Sequence, residues 1–310
     1  MNPPHTTPRE TSPTDTPTVG VVILTMGDRD TELRALLDSV TAQEGDPATV
    51  VVLAQGVDLP VLPVLPVLPE HVAVVDLPEN LGIPGGRNAG VRWLREHGGV
   101  DIVLVLDDDG LLPRTDTLRL VREAFTANPR LGIVGFRIAD ENGHSQRRHV
   151  PRLRGADPLL SGPVTTYLGG AHAIRARVIE EVGEFPAPFF YAHEETDFAW
   201  RALDAGWDID YRADLVLHHP RTPASRHAVY YRNTARNRVW LAKRHLPAVL
   251  VPIYLASWAA YTLAQRPPLA GLRSWWAGFF EGVRTACPPR RPMRWRTVWR
   301  MTRLGRPPVI

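Results

Sequence analysis

Three consecutive aspartates, Asp107, Asp108 and Asp109, follow the apolar run Ile102 to Leu106 and precede Gly110. The run reads as a buried parallel strand, so the carboxylates fall at its C-terminal end, where open α/β sheets place ligands. Side chains alternate along an extended segment, which puts Asp107 and Asp109 on one side and Asp108 on the other. Converging carboxylates repel unless a cation lies between them. Magnesium or manganese bridging phosphates suits oxygen ligands of this kind. An acidic turn without a ligand is the alternative.

A second acidic group, Glu194, Glu195 and Asp197, opens a segment whose apolar positions are Phe198, Trp200 and Leu203. Acids in the first turn of a helix complement its dipole, which would account for all three. Their density exceeds what capping needs, and one of them, partly desolvated, could serve as a general base with a raised pKa. His218 and His219 follow the short predicted strand Asp214 to Leu217, and either could ligate a metal. Asn80 to Gly90, NLGIPGGRNAG, offers glycines for close backbone approach. Arg87 and Asn88 then stand at the start of a helix running to Leu94, a turn able to hold a base, ribose or diphosphate.

The elements that must position these groups alternate. Val19 to Leu24 is the first predicted strand, and Glu32 to Val40 is an amphipathic helix with Leu33, Leu36, Leu37 and Val40 on one face. Strands follow at Val50 to Leu53 and His71 to Val75, with helix Thr117 to Phe125 and strand Gly132 to Phe136 after the aspartates. Residues 140–165 read as a loop or short antiparallel excursion, and Ala173 to Val182 as a helix after the turn Leu168-Gly169-Gly170-Ala171. Neither a dinucleotide fingerprint nor a phosphate-loop lysine is present. Between the second and third strands, LPVLPVLPVLP at 59–68 repeats proline every third residue and reads as an extended connector.

The chain has 310 residues, 44% of them hydrophobic, enough for one large α/β domain with an appendage. One cysteine, Cys287, excludes a disulfide framework and a cysteine-rich zinc site. Residues 1–17 are polar and proline-rich, expected to be a disordered lead-in without a secretory signal. The net charge of +3 conceals an asymmetry: beyond Asp214 stand sixteen arginines, one lysine and a single acid, Glu281. Such a surface could meet nucleic acid, anionic lipid or a phosphorylated substrate.

Taken together, TMGDR, ENLGIPGGRNAG, LDDDG, YLGGAHAIR, FFYAHEETDFAWRALDAGW, HHP and RNTARN resemble, in order and spacing, the inverting family 2 glycosyltransferases. Members acting on bacterial cell-envelope glycans as rhamnosyl- or galactofuranosyltransferases are the ones it is most similar to. The resemblance covers about residues 18–245. It implies the GT-A fold, an α/β architecture with a mostly parallel central sheet flanked by helices, and a nucleoside-diphospho-sugar donor with magnesium or manganese. Asp107, Asp109 and His218 would then hold the metal and diphosphate, with His219 as the fallback for His218. Thr25, Arg29, Asn80, Arg87 and Asn88 would belong to the nucleotide-sugar pocket, joined by Asp108. Glu195 would be the catalytic base, with Glu194 and Asp197 orienting it or meeting acceptor hydroxyls. Many relatives carry an acid after the second strand; here Gln55 stands there, and it could hydrogen-bond a base.

Leu246 to Leu263 contains no charge, and aromatics alternate with arginines after it. Residues 246–310 are therefore expected to form a helical appendage associating with an anionic membrane. That places the protein in the cytoplasm, peripheral on the inner face of the cell membrane, with a single-pass span as the alternative. The acceptor would be a lipid-linked or cell-envelope glycan, and a homo-oligomer is a further expectation. The rival readings are a nucleotidyltransferase, which would not need Glu195, and a basic protein binding nucleic acid or membrane without catalysis. No nucleic-acid partner is expected, since no recognised reading motif is present.

Overall fold

The computed structural model describes residues 16–56, 70–153, 157–220 and 228–309. The proline repeat and most of the predicted N-terminal lead-in lie outside them. Eight strands form one sheet in the order β3-β2-β1-β4-β7-β5-β8-β6. Strands β1 (Val19–Thr25), β2 (Thr49–Gln55), β3 (Val72–Leu77) and β4 (Ile102–Asp107) run parallel. β7 (Ala171–Arg175) is antiparallel to both β4 and β5 (Leu131–Ala139). β8 (Asp208–His218) is parallel to β5, and the two-residue β6 (Gly162–Pro163) is antiparallel to β8. The sheet is thus mixed rather than mostly parallel.

Each face of the sheet buries one apolar cluster. On one, Leu33, Leu36 and Leu37 of α1 (Asp30–Thr41) and Leu118, Val121 and Phe125 of α3 (Thr117–Ala127) meet Val21, Ile23, Leu104 and Leu106. On the other lie α2 (Gly82–Glu96), α4 (Ala176–Val182), α5 (Glu194–Ala205) and α6 (Ala228–His245), over Val22, Leu53, Val103 and Val105. The strands buried on both faces are the continuous apolar runs, as a covered parallel sheet requires.

Three expectations change. α2 begins at Gly82 and takes in the glycines read as a loop, with Pro84 tolerated in its first turn. Side chains at Gly86 and Gly90 would strike Gln55, and Val22 with Leu53, so these glycines seat the helix on the sheet. Ala171–Arg175 is a strand, and the helix starts only at Ala176. β8 is eleven residues long, not four, because Ile209, Tyr211 and Ala213 are buried in alternation with polar residues.

The C-terminal region also differs. The apolar run divides: α6 ends at His245, and α7 (Leu250–Ala264) has 15 residues, a length of about 22 Å against a bilayer core of about 30 Å. Among the described residues no helix is long and apolar enough to cross a membrane. That overturns the single-pass span and the membrane localisation read from the run, and nothing in the fold marks the region as a membrane-associating appendage. α8 (Leu269–Arg284) instead lies against α6, where side chains at Gly278 and Gly282 would collide with the backbone of Arg232 and Arg236. α9 (Trp295–Arg303) buries Val298 and Met301 in the cluster under α5. Several arginines read as a lipid- or nucleic-acid-facing surface have intrachain partners: Arg290 reaches the carbonyls of Lys243 and Leu246, Arg294 reaches Asp204, and Arg300 reaches Asp208.

Asp197 joins α5 to α6. It is fully buried, with Oδ2 2.8 Å from Arg201 Nε, and Oδ1 2.8 Å from Arg244 and 2.5 Å from His245 Nε2. Against the burial that raises its pKa, His245 and the two arginines hold this carboxyl well below the usual range. Its ionised form is therefore favoured by folding. The stabilisation is complete above the unfolded value of about 3.9 and declines as pH falls below it. Asp197→Asn should lose about 3–5 kcal/mol at neutral pH. Thermal melts should show the gap between native and variant narrowing in acid below about pH 4; a gap that is small at pH 7, or constant with pH, would contradict this role.

Candidate active site

The antiparallel insertion of β7 is what assembles the site. Because β7 runs opposite to β4, its entry turn lies beside the exit of β4, and the Asp107 N–H donates to the Gly170 carbonyl at 2.9 Å. β8 ends at the same edge, where His218 and Leu111 exchange backbone hydrogen bonds.

Asp107, Asp109 and His219 bring one ligand atom each within 4.8 Å of the others. The histidine in this group is His219, not His218: Nε2 of His219 is 3.0 Å from Asp109 Oδ1. Oδ1 is buried and has no aligned hydrogen bond despite that approach. Two carboxylates and an imidazole around such an oxygen fit a divalent cation such as manganese or magnesium. The close approach of the Asp109 carboxylate raises the His219 pKa. Burial works to raise that of Asp109, yet His219 and Arg29 bring it below its ordinary value. Burial raises Asp107 despite the opposing charges of Arg87 and His219.

Asp108 is not one of the three grouped residues and meets Arg29, whose Nη1 lies 3.1 Å from Asp108 Oδ1 and 2.7 Å from Asp109 Oδ2. Thr25 is buried beside Asp108, and its hydroxyl accepts the Gly27 N–H at 3.1 Å. Gln55 Oε1 accepts the Leu81 N–H at 3.2 Å, and Asn80 Oδ1 accepts the Gly82 N–H at 2.8 Å. These two shape the loop into α2. Asn88 is buried and exchanges hydrogen bonds with the Phe185 backbone, both 2.9 Å, so it braces the fold. Asp197 is likewise enclosed by its cations.

The second carboxylate group converges on Arg87, which is 1% exposed. Its Nη1 lies 3.0 Å from Glu195 Oε1 and 3.4 Å from Glu194 Oε1, and its Nη2 donates to the Gly169 carbonyl at 3.0 Å. Glu194 is buried, and burial with the adjacent Glu195 pushes its carboxyl well above the usual range. Glu195 remains partly accessible, with a side chain 16% exposed.

The turn that presents them is strained. Phe190, Ala192 and His193 have φ of 60°, 72° and 71°, a left-handed region costly for residues other than glycine. Asn237, from the RNTARN stretch, holds it there by donating from Nδ2 to the carbonyls of Phe189, Tyr191 and Ala192 at 2.8–3.0 Å. Sequence reasoning gave Asn237 no role; RNTARN was its only signal, and what it clamps lies 45–48 residues earlier.

Gly169 and Gly170 join the two halves. A Cβ at Gly169 would lie 2.1 Å from Glu195 Oε1, and one at Gly170 would lie 3.1 Å from Asp107 Oδ2. Two adjacent residues thus touch both acidic groups, and a Cβ at either would press on the carboxylate beside it.

Residues 21–183 match the family described as "Glycosyl transferase family 2". The chain belongs to this family. A curated relative of this glycosyl transferase, the low-salt glycan biosynthesis hexosyltransferase Agl10 of Haloferax volcanii, is 27% identical over 147 residues. The match covers 43% of this chain and 47% of the relative, so the chain aligns with about half of that protein's length. Among solved structures, GalNAc-T7 with UDP, GalNAc and Mn2+ superposes with a TM-score of 0.62 at 13% identity, over 88% of this chain and 55% of that one. The mannosyltransferase PcManGT of Pyrobaculum calidifontis, in complex with GDP-Man and Mn2+, gives 0.56 at 18% identity, covering 89% and 78%. TarS 1-349 of S. aureus gives 0.59 at 17% identity, covering 86% and 81%. These similarities establish the GT-A fold for this glycosyl transferase.

Gly169→Ala tests the shared turn. The added methyl meets only the far end of the Glu195 side chain and Arg87, so the fold can absorb it by moving that carboxylate. A displacement near 1 Å should lower turnover by about 100-fold with a melting temperature close to native. Native turnover in this variant would show that the Glu195 position carries no chemistry.

Proposed function

We propose that this glycosyl transferase moves a sugar from a nucleoside-diphospho-sugar to an acceptor hydroxyl with inversion at the anomeric carbon. The observation that carries the reading is the pair of carboxylates, Glu195 and Asp107, reaching the two adjacent glycines of one turn. A divalent ion held by Asp107, Asp109 and His219 would neutralise charge on the departing nucleoside diphosphate. Arg29 and Thr25 position Asp108 and Asp109 at the sheet edge, and Gln55 and Asn80 set the loop beside the donor's nucleoside. Glu195 accepts the proton of the acceptor hydroxyl as that oxygen attacks the anomeric carbon from the face opposite the diphosphate. The new bond forms as the sugar–diphosphate bond breaks, so no sugar becomes attached to the protein and the configuration inverts. Arg87 fixes the Glu195 carboxylate, and Glu194 lies buried beside it. A hexosyl donor and a glycan or lipid-linked acceptor complete the proposal; support for the hexosyl group comes from the name of the Haloferax relative. The catalytic unit would be 18–245, with 246–310 covering its α5–α6 side.

The test is a screen of uridine, guanosine and thymidine diphospho-sugars with and without manganese or magnesium. Metal-dependent release of nucleoside diphosphate, and a product of opposite anomeric configuration by NMR, are expected. His219→Ala should raise the metal concentration for half-maximal activity at least tenfold, while His218→Ala should not. Retained configuration would remove the inverting assignment, diphosphate release from nucleoside triphosphates would favour a nucleotidyltransferase, and no donor bound with either metal would remove the transferase reading.

A further inference from the structure

At the first turn of α5, bordered by His193, Thr196 and Trp200 and not by Glu195, lies a second polar site. A cavity of about 50 Å³ forms where Thr165, Thr166, the start of α5, α6, α7 and the residues after α9 meet. One water needs roughly 10–15 Å³ of such space, so the cavity has room for about three to five water-sized atoms. That is the size of a tetrahedral oxyanion.

Its lining is cationic and contains no carboxylate: Arg238 and Arg306 both face it. Burial lowers the pKa of each guanidinium, and Arg238 lowers that of Arg306 further. Arg238 stacks 3.2 Å over the Trp258 ring, beside the Tyr254 hydroxyl. Among the described residues neither arginine has a carboxylate partner. Other enclosed arginines of this chain are matched: Arg87 by Glu194 and Glu195, Arg201 and Arg244 by Asp197, and Arg122 and Arg175 by backbone carbonyls. Arg238 and Arg306 are only half-buried, yet two neighbouring cations turned into one cavity without an anion repel each other.

Three buried polar atoms without hydrogen bonds belong to residues that line the same cavity: Thr165 Oγ1, His193 Nε2 and Trp258 Nε1. A hydroxyl, an indole N–H and an imidazole nitrogen beside two guanidiniums can all donate to one oxyanion. Burial, with Arg238 and Arg306, lowers the pKa of this imidazole, and with its proton on the unpartnered Nε2 the ring is a donor. The N-terminus of the 12-residue α5 adds its dipole to the same wall.

The geometry points to an oxyanion site for a phosphate group, formed by Arg238, Arg306, His193, Thr165 and Trp258. It is separate from the Asp107 cluster and needs no metal. His193 precedes Glu194 and has the left-handed backbone that Asn237 secures, so an occupied site steadies the turn presenting Glu195. The phosphate can be a free ion or an ester carried by a larger molecule.

Calorimetric titration and thermal melts in chloride buffer with a chelator test this, since removing divalent ions silences the Asp107 cluster. The probes are inorganic phosphate and a short alkyl phosphate. Native protein should bind at least one and melt higher in its presence. Arg306→Gln should weaken binding tenfold or more without lowering the melting temperature of the free protein. Trp258→Phe, which removes one donor and no charge, should weaken it less. Tighter binding of the alkyl phosphate supports an ester-borne group, and binding of inorganic phosphate alone supports the free ion. Failure of both probes to bind native protein, or binding that Arg306→Gln leaves unchanged, overturns the site.

Discussion

Arg87 carries its charge at 1% exposure, and three elements are arranged around it. Its guanidinium comes from α2, the carboxylates it meets come from α5, and the carbonyl it meets comes from the turn into β7. Without that cation, Glu194, Glu195 and Asp107 would place several like charges in a region nearly free of water. Burial works against the Arg87 charge, and the acids restore it: Glu195, Glu194 and Asp107, in that order, hold its pKa above the ordinary value. Cation and carboxylates therefore make each other's burial tolerable, as a buried ion pair requires.

From this constraint the division of the site follows. Arg29 performs the corresponding service for Asp108 and Asp109 at the sheet edge, but it is far more exposed than Arg87. One acidic group, Asp107 with Asp109, gathers against His219 and Arg29, while in the other Glu194 is buried and Glu195, held by Arg87, keeps partial access to solvent. The Gly169–Gly170 turn sets the spacing between them, and the reversed strand β7 is what brings that turn to the carboxyl edge of β4. A wholly parallel sheet would deliver only helix-entry loops there.

Much of this was legible in the chain. The apolar run ending in three aspartates located both the strand and the Asp107–Asp109 cluster at its end, and α1 was visible from its leucine spacing. The antiparallel strand was not, because AHAIR is short, alanine-rich and continuous with the next helix. β8 was shortened because Asp208, Asp210 and Arg212 hid the alternation of Ile209, Tyr211 and Ala213. The histidine assignment turned on a step of one residue, and at the end of a strand such a step moves a side chain to the other face. Asp197 looked like one more first-turn acid. Arg201, four residues on, hinted otherwise, but Arg244 and His245 come from another helix, and no local pattern links them.

The central claim is that Glu195 acts on the acceptor while the aspartate cluster holds the donor. The most direct measurement pairs donor affinity with the rate of transfer for Glu195→Gln, which keeps the shape of the side chain and removes its charge. The account predicts metal-dependent donor binding within about threefold of native and a rate lower by about 100-fold or more. Donor affinity lost along with the rate, or a rate close to native, would contradict it.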